Sequence, residues 1–221
     1  YTRLGGVVAA FGYAVTALAV QQAHFFVVDP ILTFLIVLTV LVAYLEAESG
    51  SRTHSALLGL LVGATVATKV SAAPIALVVV LAHVVTFDRA TRVLRLRRPE
   101  TWGDVWTRLV IAGLVAIVSF AAFEPYAFLD TQGFLRDVGA QSAMVRGIAD
   151  FPYTRQYTHT TPYVYWIEEL VRWQMAPPLG LLACGGALFA CARWLRDRRS
   201  PEILYLSWLV PYLGLTGAFF S

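Results

Sequence analysis

The sequence predicts an all-α fold, a polytopic membrane helix bundle of about seven spans, and three observations point to it. Hydrophobic residues make up 58% of the chain against 14% charged, and the mean hydropathy is +0.65, values that a soluble domain with one buried core does not carry. The apolar residues fall in runs long enough to cross a bilayer, separated by polar connections. The arginines gather in two places, Asp88 to Asp104 and Arg193 to Arg199, as they do in cytoplasmic loops under the positive-inside rule. Beside that asymmetry the net charge of +3 says little, and nothing in the pattern suggests nucleic acid as a partner.

Taken in order, Gly5 to Ala23 is apolar throughout and reads as the first span, with Gly12 and several alanines allowing close helix approach. His24, Phe25, Phe26 and Asp29 follow. Asp29-Pro30 reads as a helix start, with the carboxylate at the N-cap and the proline in the first turn, so that Ile31 to Glu46 forms a short second span. Glu46 to Ser55 is a polar connection carrying Arg52 and His54.

The apolar run from Leu57 to Val85 holds the chain's one lysine, Lys69, among Thr68, Ser71 and Pro74. One helix over Ser55 to Phe87 would reach ~50 Å against a hydrocarbon core of ~30 Å, too long for a single crossing. A break at Lys69 to Ser71 gives two helices of ~22 Å each, a short hairpin at 55–87. Lys69 would close the first, complementing its exposed carbonyls, and Ser71 would cap the second with Pro74 in its first turn. The hairpin places Asp29, Lys69, Glu124 and Asp130 on the face opposite the arginine loops, which agrees with positive-inside.

Val105 to Leu129 is a span with Glu124 and Pro125 near its far end, Met175 to Trp194 crosses back, and Ile203 to Phe219 begins a last crossing. Between them, Asp130 to Gln174 is an external loop. Phe134 to Val145 and Tyr163 to Trp173 have the pattern of helices lying in the interface. The stretch from Phe151 to Pro162, with Tyr153, Arg155, Gln156, Tyr157, Thr158 and His159, supplies hydrogen bonds and flat stacking faces suited to a sugar or phosphate headgroup. An aromatic belt anchoring the loop at the headgroups is the alternative reading. Cys184 and Cys191 lie ~10 Å apart along one helix, too far for a disulfide, and read as small packing residues. His24, Asp29 and His159 are too scattered to argue a metal site, and no cofactor is implied.

Three stretches, in this order and topology, carry a family resemblance: HFFVVDPILTFL (His24 to Leu35), GLLVGATVATKVSAAP (Gly59 to Pro74), and EPYAFLD with PYVYWIEELVRWQMAPPLGLL (Glu124 to Asp130, Pro162 to Leu182). Together they resemble the membrane module of polyprenyl-phosphate-sugar glycosyltransferases, in particular glycosyltransferase family 39, which includes the protein O-mannosyltransferases. The resemblance implies a C-type membrane fold, an undecaprenyl- or dolichyl-type phosphate sugar entering laterally as donor substrate, and transfer to a protein or lipid acceptor on the external face. It implies a bacterial cell membrane location with the 130–174 loop outside. Both ends of the sequence look cut, so 1–221 reads as one transmembrane module of a longer chain, and the family's catalytic acidic residue would lie upstream of Tyr1. Asp29 matches the family's acidic position before its fourth span, and Lys69 the basic residue at the external end of its fifth. There a lysine could meet the departing phosphate, or it could snorkel to headgroups or be neutralised by Asp29. Arg155 and His159 are candidate headgroup contacts, and Glu124 is a candidate buried partner for Arg or Lys. The competing expectations are a non-catalytic subunit of a larger membrane complex and, third, a transporter.

Overall fold

The computed structural model describes residues 3–149, 152, 154–157 and 159–218. Phe151, Tyr153 and Thr158 of the polar loop stretch lie outside the described residues, as does Phe219 at the end of the last crossing. The architecture is helical with one small hairpin sheet. Its helices run α1 Arg3–Ala14, α2 Ala17–His24, α3 Asp29–Ser49, α4 Arg52–Thr68 and α5 Ile75–Val84. The strands β1 Val85–Asp88 and β2 Val93–Leu96 follow, then α6 Trp102–Phe123, α7 Tyr126–Leu129, α8 Thr131–Val145, α9 Val164–Glu169, α10 Pro177–Arg196 and α11 Glu202–Thr216.

Among the described residues three helices are long and apolar enough to cross a membrane, α3, α10 and α6 with the turn before it, and the bent pair α1 and α2 is a fourth if taken as one span. Of the about seven spans expected, these account for three or four; α4, α5 and α11 are each shorter than an untilted crossing of a full hydrocarbon core needs. The first span is not one helix either. It bends by 58° at Val15 and Thr16. Thr16 causes the break: its hydroxyl donates to Tyr13 O at 2.8 Å and accepts from Ala19 N, closing one helix and capping the next.

The chain reverses at Lys69. Thr68 ends α4, Lys69 is extended (φ −158°, ψ 113°), Val70–Ala72 form a 3-10 turn, and Pro74 starts α5, where its missing N–H costs nothing. Ser71 lies inside that turn and does not cap α5 as expected. Reversal is shown by His83 near the end of α5, whose Nε2 lies 3.1 Å from Ser55 Oγ near the start of α4. The sequence predicts an arginine-rich loop from Asp88 to Asp104, with Val85 to Phe87 ending the helix before it. Instead Val85, Phe87, Val93 and Leu94 pair in two antiparallel strands, with Asp88 opposite Val93 across the turn. The Asp88 carboxylate accepts from the Ala90 and Thr91 amides, and hydrogen bonding at Thr91 and Ala90 holds its pKa below the ordinary range.

Helices α4 and α6 run parallel and touch through small residues. A Cβ at Gly59 would stand 2.9 Å from Val115 Cβ, and one at Gly63 would stand 2.8 Å from Phe120 N, so neither position has room for a side chain. Ser119 Oγ donates across the contact to Leu60 O at 2.8 Å. The core gathers Leu32, Val42, Leu58, Ile75, Val78, Leu204 and Trp208 from α3, α4, α5 and α11. Outside it, Val110, Leu114, Ile117 and Val118 of α6 and Leu181, Leu182, Leu188 and Phe189 of α10 are exposed, as lipid-facing residues are. The span Val105 to Leu129 is interrupted at Glu124, the C-cap of α6, and Pro125 then opens the short α7.

Candidate functional site

Two polar sites sit at opposite ends of this bundle. The first is the one the sequence predicts. Asp29 is the first residue of α3, Pro30 the second, and Val28 occupies the N-cap without a side-chain bond. The Asp29 carboxylate does not cap its helix. It accepts a 2.9 Å hydrogen bond from Lys69 Nζ, forming an ion pair with side chains 42% (Lys69) and 34% (Asp29) exposed. Lys69 reaches it because α4 stops at Thr68, and Thr65 and Thr68 spend their hydroxyls on Leu61 O and Ala64 O in the last turns. Tyr212 of α11 stands within electrostatic reach of both charges and stacks on Trp208 at 4.5 Å.

Glu124 and His159 do not bond to this pair: no hydrogen bond or ion pair links either to Lys69 or Asp29 among the described residues. Arg155 opens a 3-10 turn, Arg155–Tyr157, with its side chain exposed, and His159 is exposed with a left-handed backbone (φ 65°). The loop is fixed at the Lys69 end by aromatic residues. Tyr157 packs on Tyr165 at 5.8 Å and on Trp166 at 5.5 Å, while Tyr163 donates its hydroxyl to Gly214 O at 3.1 Å and its N–H to Gly217 O at 2.9 Å. Desolvation, with the Glu169 charge second, pushes the Tyr165 phenol up from its ordinary pKa. The helices expected at Phe134 to Val145 and Tyr163 to Trp173 are α8, capped by Asp130 on Gly133 N at 3.0 Å, and α9, which continues into a π-helical turn Leu170–Gln174. Among the described residues no group of three or more His, Cys, Asp or Glu converges as a metal site.

The second site escaped the sequence reading. Glu46 of α3, Arg108 of α6, and His83 of α5 are completely or almost completely buried at the arginine-rich end. Arg108 donates to Glu46 Oε1 through Nη1 and to Asp104 Oδ2 through Nε at 2.9 Å. Arg97, arriving from β2, donates to the carbonyls of His83 and Glu46, at 3.0 and 3.1 Å. Partial burial, with the Arg108 charge second, weakens Arg97's hold on its proton, and the Glu46 and Asp104 charges oppose that. Val79 O can only accept, so His83 Nδ1 carries the hydrogen of their 2.7 Å bond, and Nε2 lies 3.1 Å from Ser55 Oγ. Glu46 Oε2 has no hydrogen-bond partner among the described residues. Each of the three buried groups lies in a different apolar run, and the available signal was the presence of ionisable residues inside such runs.

Chemically, the two sites differ. The buried cluster is closed and its charges are matched. The Lys69 end offers a half-exposed ammonium, a neighbouring phenol and an aromatic loop, a set able to receive an anionic headgroup. Compared with family models, curated proteins and solved structures, the chain matches none.

Proposed function

We propose that this chain is the membrane module of a glycosyltransferase that uses a polyprenyl-phosphate-linked sugar as donor and a protein or lipid as acceptor. The observation that carries the reading is the position of Lys69: the chain's one lysine, at a break between two short helices, half-exposed at the end away from the arginine loops. A carrier phosphate gains negative charge as the glycosyl bond breaks, and an ammonium at its oxygens lowers that barrier. Asp29 holds the Lys69 ammonium at 2.9 Å until the phosphate takes its place. Arg155, His159 and the Tyr157, Tyr165 and Trp166 cluster would line the approach of the headgroup, and Glu124 stands at the same end of the bundle. In this reading the bent pair α1 and α2 and the short helices α4, α5 and α11 cross alongside the long ones, giving about seven crossings of a C-type fold, in a bacterial cell membrane with 130–174 outside. The resemblance to glycosyltransferase family 39 supports it.

The test is sugar transfer from a polyprenyl-phosphate sugar by the complete polypeptide in membranes. Lys69→Met is expected to lower turnover by about a hundredfold, the order seen when a stabiliser of developing charge is removed. Turnover unchanged in a folded Lys69→Met protein would remove Lys69 from the chemistry. A second reading, a non-catalytic subunit packing in a larger complex, is favoured by the broad exposed apolar faces of α1 and α10. It predicts no transfer by the complete polypeptide under any donor.

A further inference from the structure

An open groove of about 760 Å³ lies between the β-hairpin and the arginine-rich ends of α10 and α11. Its walls are apolar: Leu81 and Val85 at the end of α5, Leu96 on β2, Trp194 on α10 and Ile203 on α11. Its charges are Arg95, Arg198 and Arg199, and no acidic side chain lines it. The walls are held together by hydrogen bonds that do not involve the arginine side chains. Leu94 N donates to Arg199 O at 2.7 Å, Arg97 N to Val84 O at 2.9 Å, and Tyr44 Oη to Pro201 O at 2.7 Å.

The nearby carboxylates are engaged elsewhere. Glu202 is 3% exposed, bonded to Ser200 and 3.3 Å from Arg193, and Asp197 accepts from the Arg199 amide at 2.9 Å. Asp88 is in electrostatic reach of Arg95 but lies at the hairpin turn. Arg198 rests on the Trp194 ring, 4.2 Å from its centroid, which holds its guanidinium at the groove while leaving the edge N–H groups free to donate. Leu96, 74% exposed, presents an alkyl chain beside these cations, where a purely aqueous loop gains nothing from it.

We propose that this groove is a binding site for an anionic glycerophospholipid of the leaflet at the arginine-rich end. Its phosphodiester takes the guanidinium forks of Arg95, Arg198 and Arg199, and its acyl chains lie on Leu96, Trp194 and Ile203. Both halves of the ligand are needed to match the lining: three cations without a carboxylate ask for an anion, and the apolar walls ask for hydrocarbon. A soluble phosphate satisfies only the first. The site is at the opposite end from Lys69 and does not depend on the glycosyltransferase reading.

The experiment uses the complete polypeptide, extracted in mild detergent and offered phosphatidylglycerol and phosphatidylcholine in equal amounts, with retained lipids counted by native mass spectrometry. The wild type is expected to retain phosphatidylglycerol preferentially. The triple variant Arg95→Gln, Arg198→Gln, Arg199→Gln should lose that preference by about tenfold or more, and the triple Lys variant should keep most of it. A second triple variant of equal charge loss, Arg52→Gln, Arg89→Gln, Arg92→Gln, removes arginines that do not line the groove and should behave as wild type. Excess inorganic phosphate should not displace the lipid. Absence of preference in the wild type overturns the proposal, including the case in which another part of the polypeptide covers the groove. Equal loss in both Gln variants, or displacement by free phosphate, overturns it as well. Should the groove triple variant fail to fold, the wild-type preference and the phosphate competition still decide.

Discussion

At 42% and 34% side-chain exposure, Lys69 and Asp29 attract each other through screened surroundings, where such a pair contributes about 0–1 kcal/mol. That magnitude suits exchange of Asp29 for a ligand oxygen and is too small to be the reason for the fold. Asp29→Asn is therefore expected to shift thermal unfolding by no more than a few degrees, measured on the purified protein in detergent. The buried pair at the other end obeys the opposite arithmetic. Glu46 and Arg108 are 0% and 1% exposed, and deleting one partner strands the other charge out of water. Arg108→Met should destabilise by about 3–5 kcal/mol, whereas Arg108→Met with Glu46→Met should recover much of that loss. Chemical unfolding of the two variants in the same detergent checks this; equal stability of the single variant and the wild type would mean that the pair is not buried. The Lys69 site was legible in the sequence because one lysine in an apolar run stands out. The Glu46, His83 and Arg108 cluster was not, because its members lie in three separate runs and only the packing of α3, α5 and α6 brings them together.

Helix α4 owes its place to what it lacks. Gly59 and Gly63 let the backbone of α6 come so close that a Cβ would meet Ala112 and Ala116 carbonyls, and the gain comes from van der Waals contact and the Ser119 to Leu60 hydrogen bond. Gly63→Leu should force the helices apart and cost about 1–3 kcal/mol or more, while Gly113→Leu, where a Cβ meets nothing, should cost far less. Unfolding transitions of the two variants measure the difference. The same reasoning applies to Gly217, which has Tyr163 Cε1 2.6 Å from where its Cβ would be: Gly217→Ala should loosen the loop and expose the Tyr163 to Gly214 contact to proteolysis. Among elements, the break at Lys69 could be read from length alone. The bend at Thr16 could not, since a threonine in an apolar run looks the same whether it caps a helix or faces a neighbour. Two four-residue strands were likewise invisible inside a segment whose arginines dominate its pattern. The helix start at Asp29-Pro30 was readable to within a residue, and the crossing expected from Met175 starts two residues later at Pro177.

Across the whole molecule, polar chemistry is divided between two ends. One end carries Asp29, Lys69 and the aromatic loop, the other Glu46, Arg97, Arg108 and the groove arginines, and the parallel α4 and α6 with the reversed α5 fix that division. Cysteines placed at Asp29 and at Arg95 should label from opposite sides of sealed vesicles; labelling from one side would undo the reversal at Lys69. The arginine asymmetry made this arrangement legible before any geometry, but the helix lengths were not, because apolar runs do not reveal where a helix stops short. The most direct measurement of the functional account is the equilibrium affinity of the complete, purified polypeptide for polyprenyl monophosphate. With Lys69 receiving the phosphate and Asp29 competing for it, Lys69→Met should weaken binding about tenfold or more, and Asp29→Asn should strengthen it. Binding that is absent, or equal in the wild type and both variants, would contradict the account.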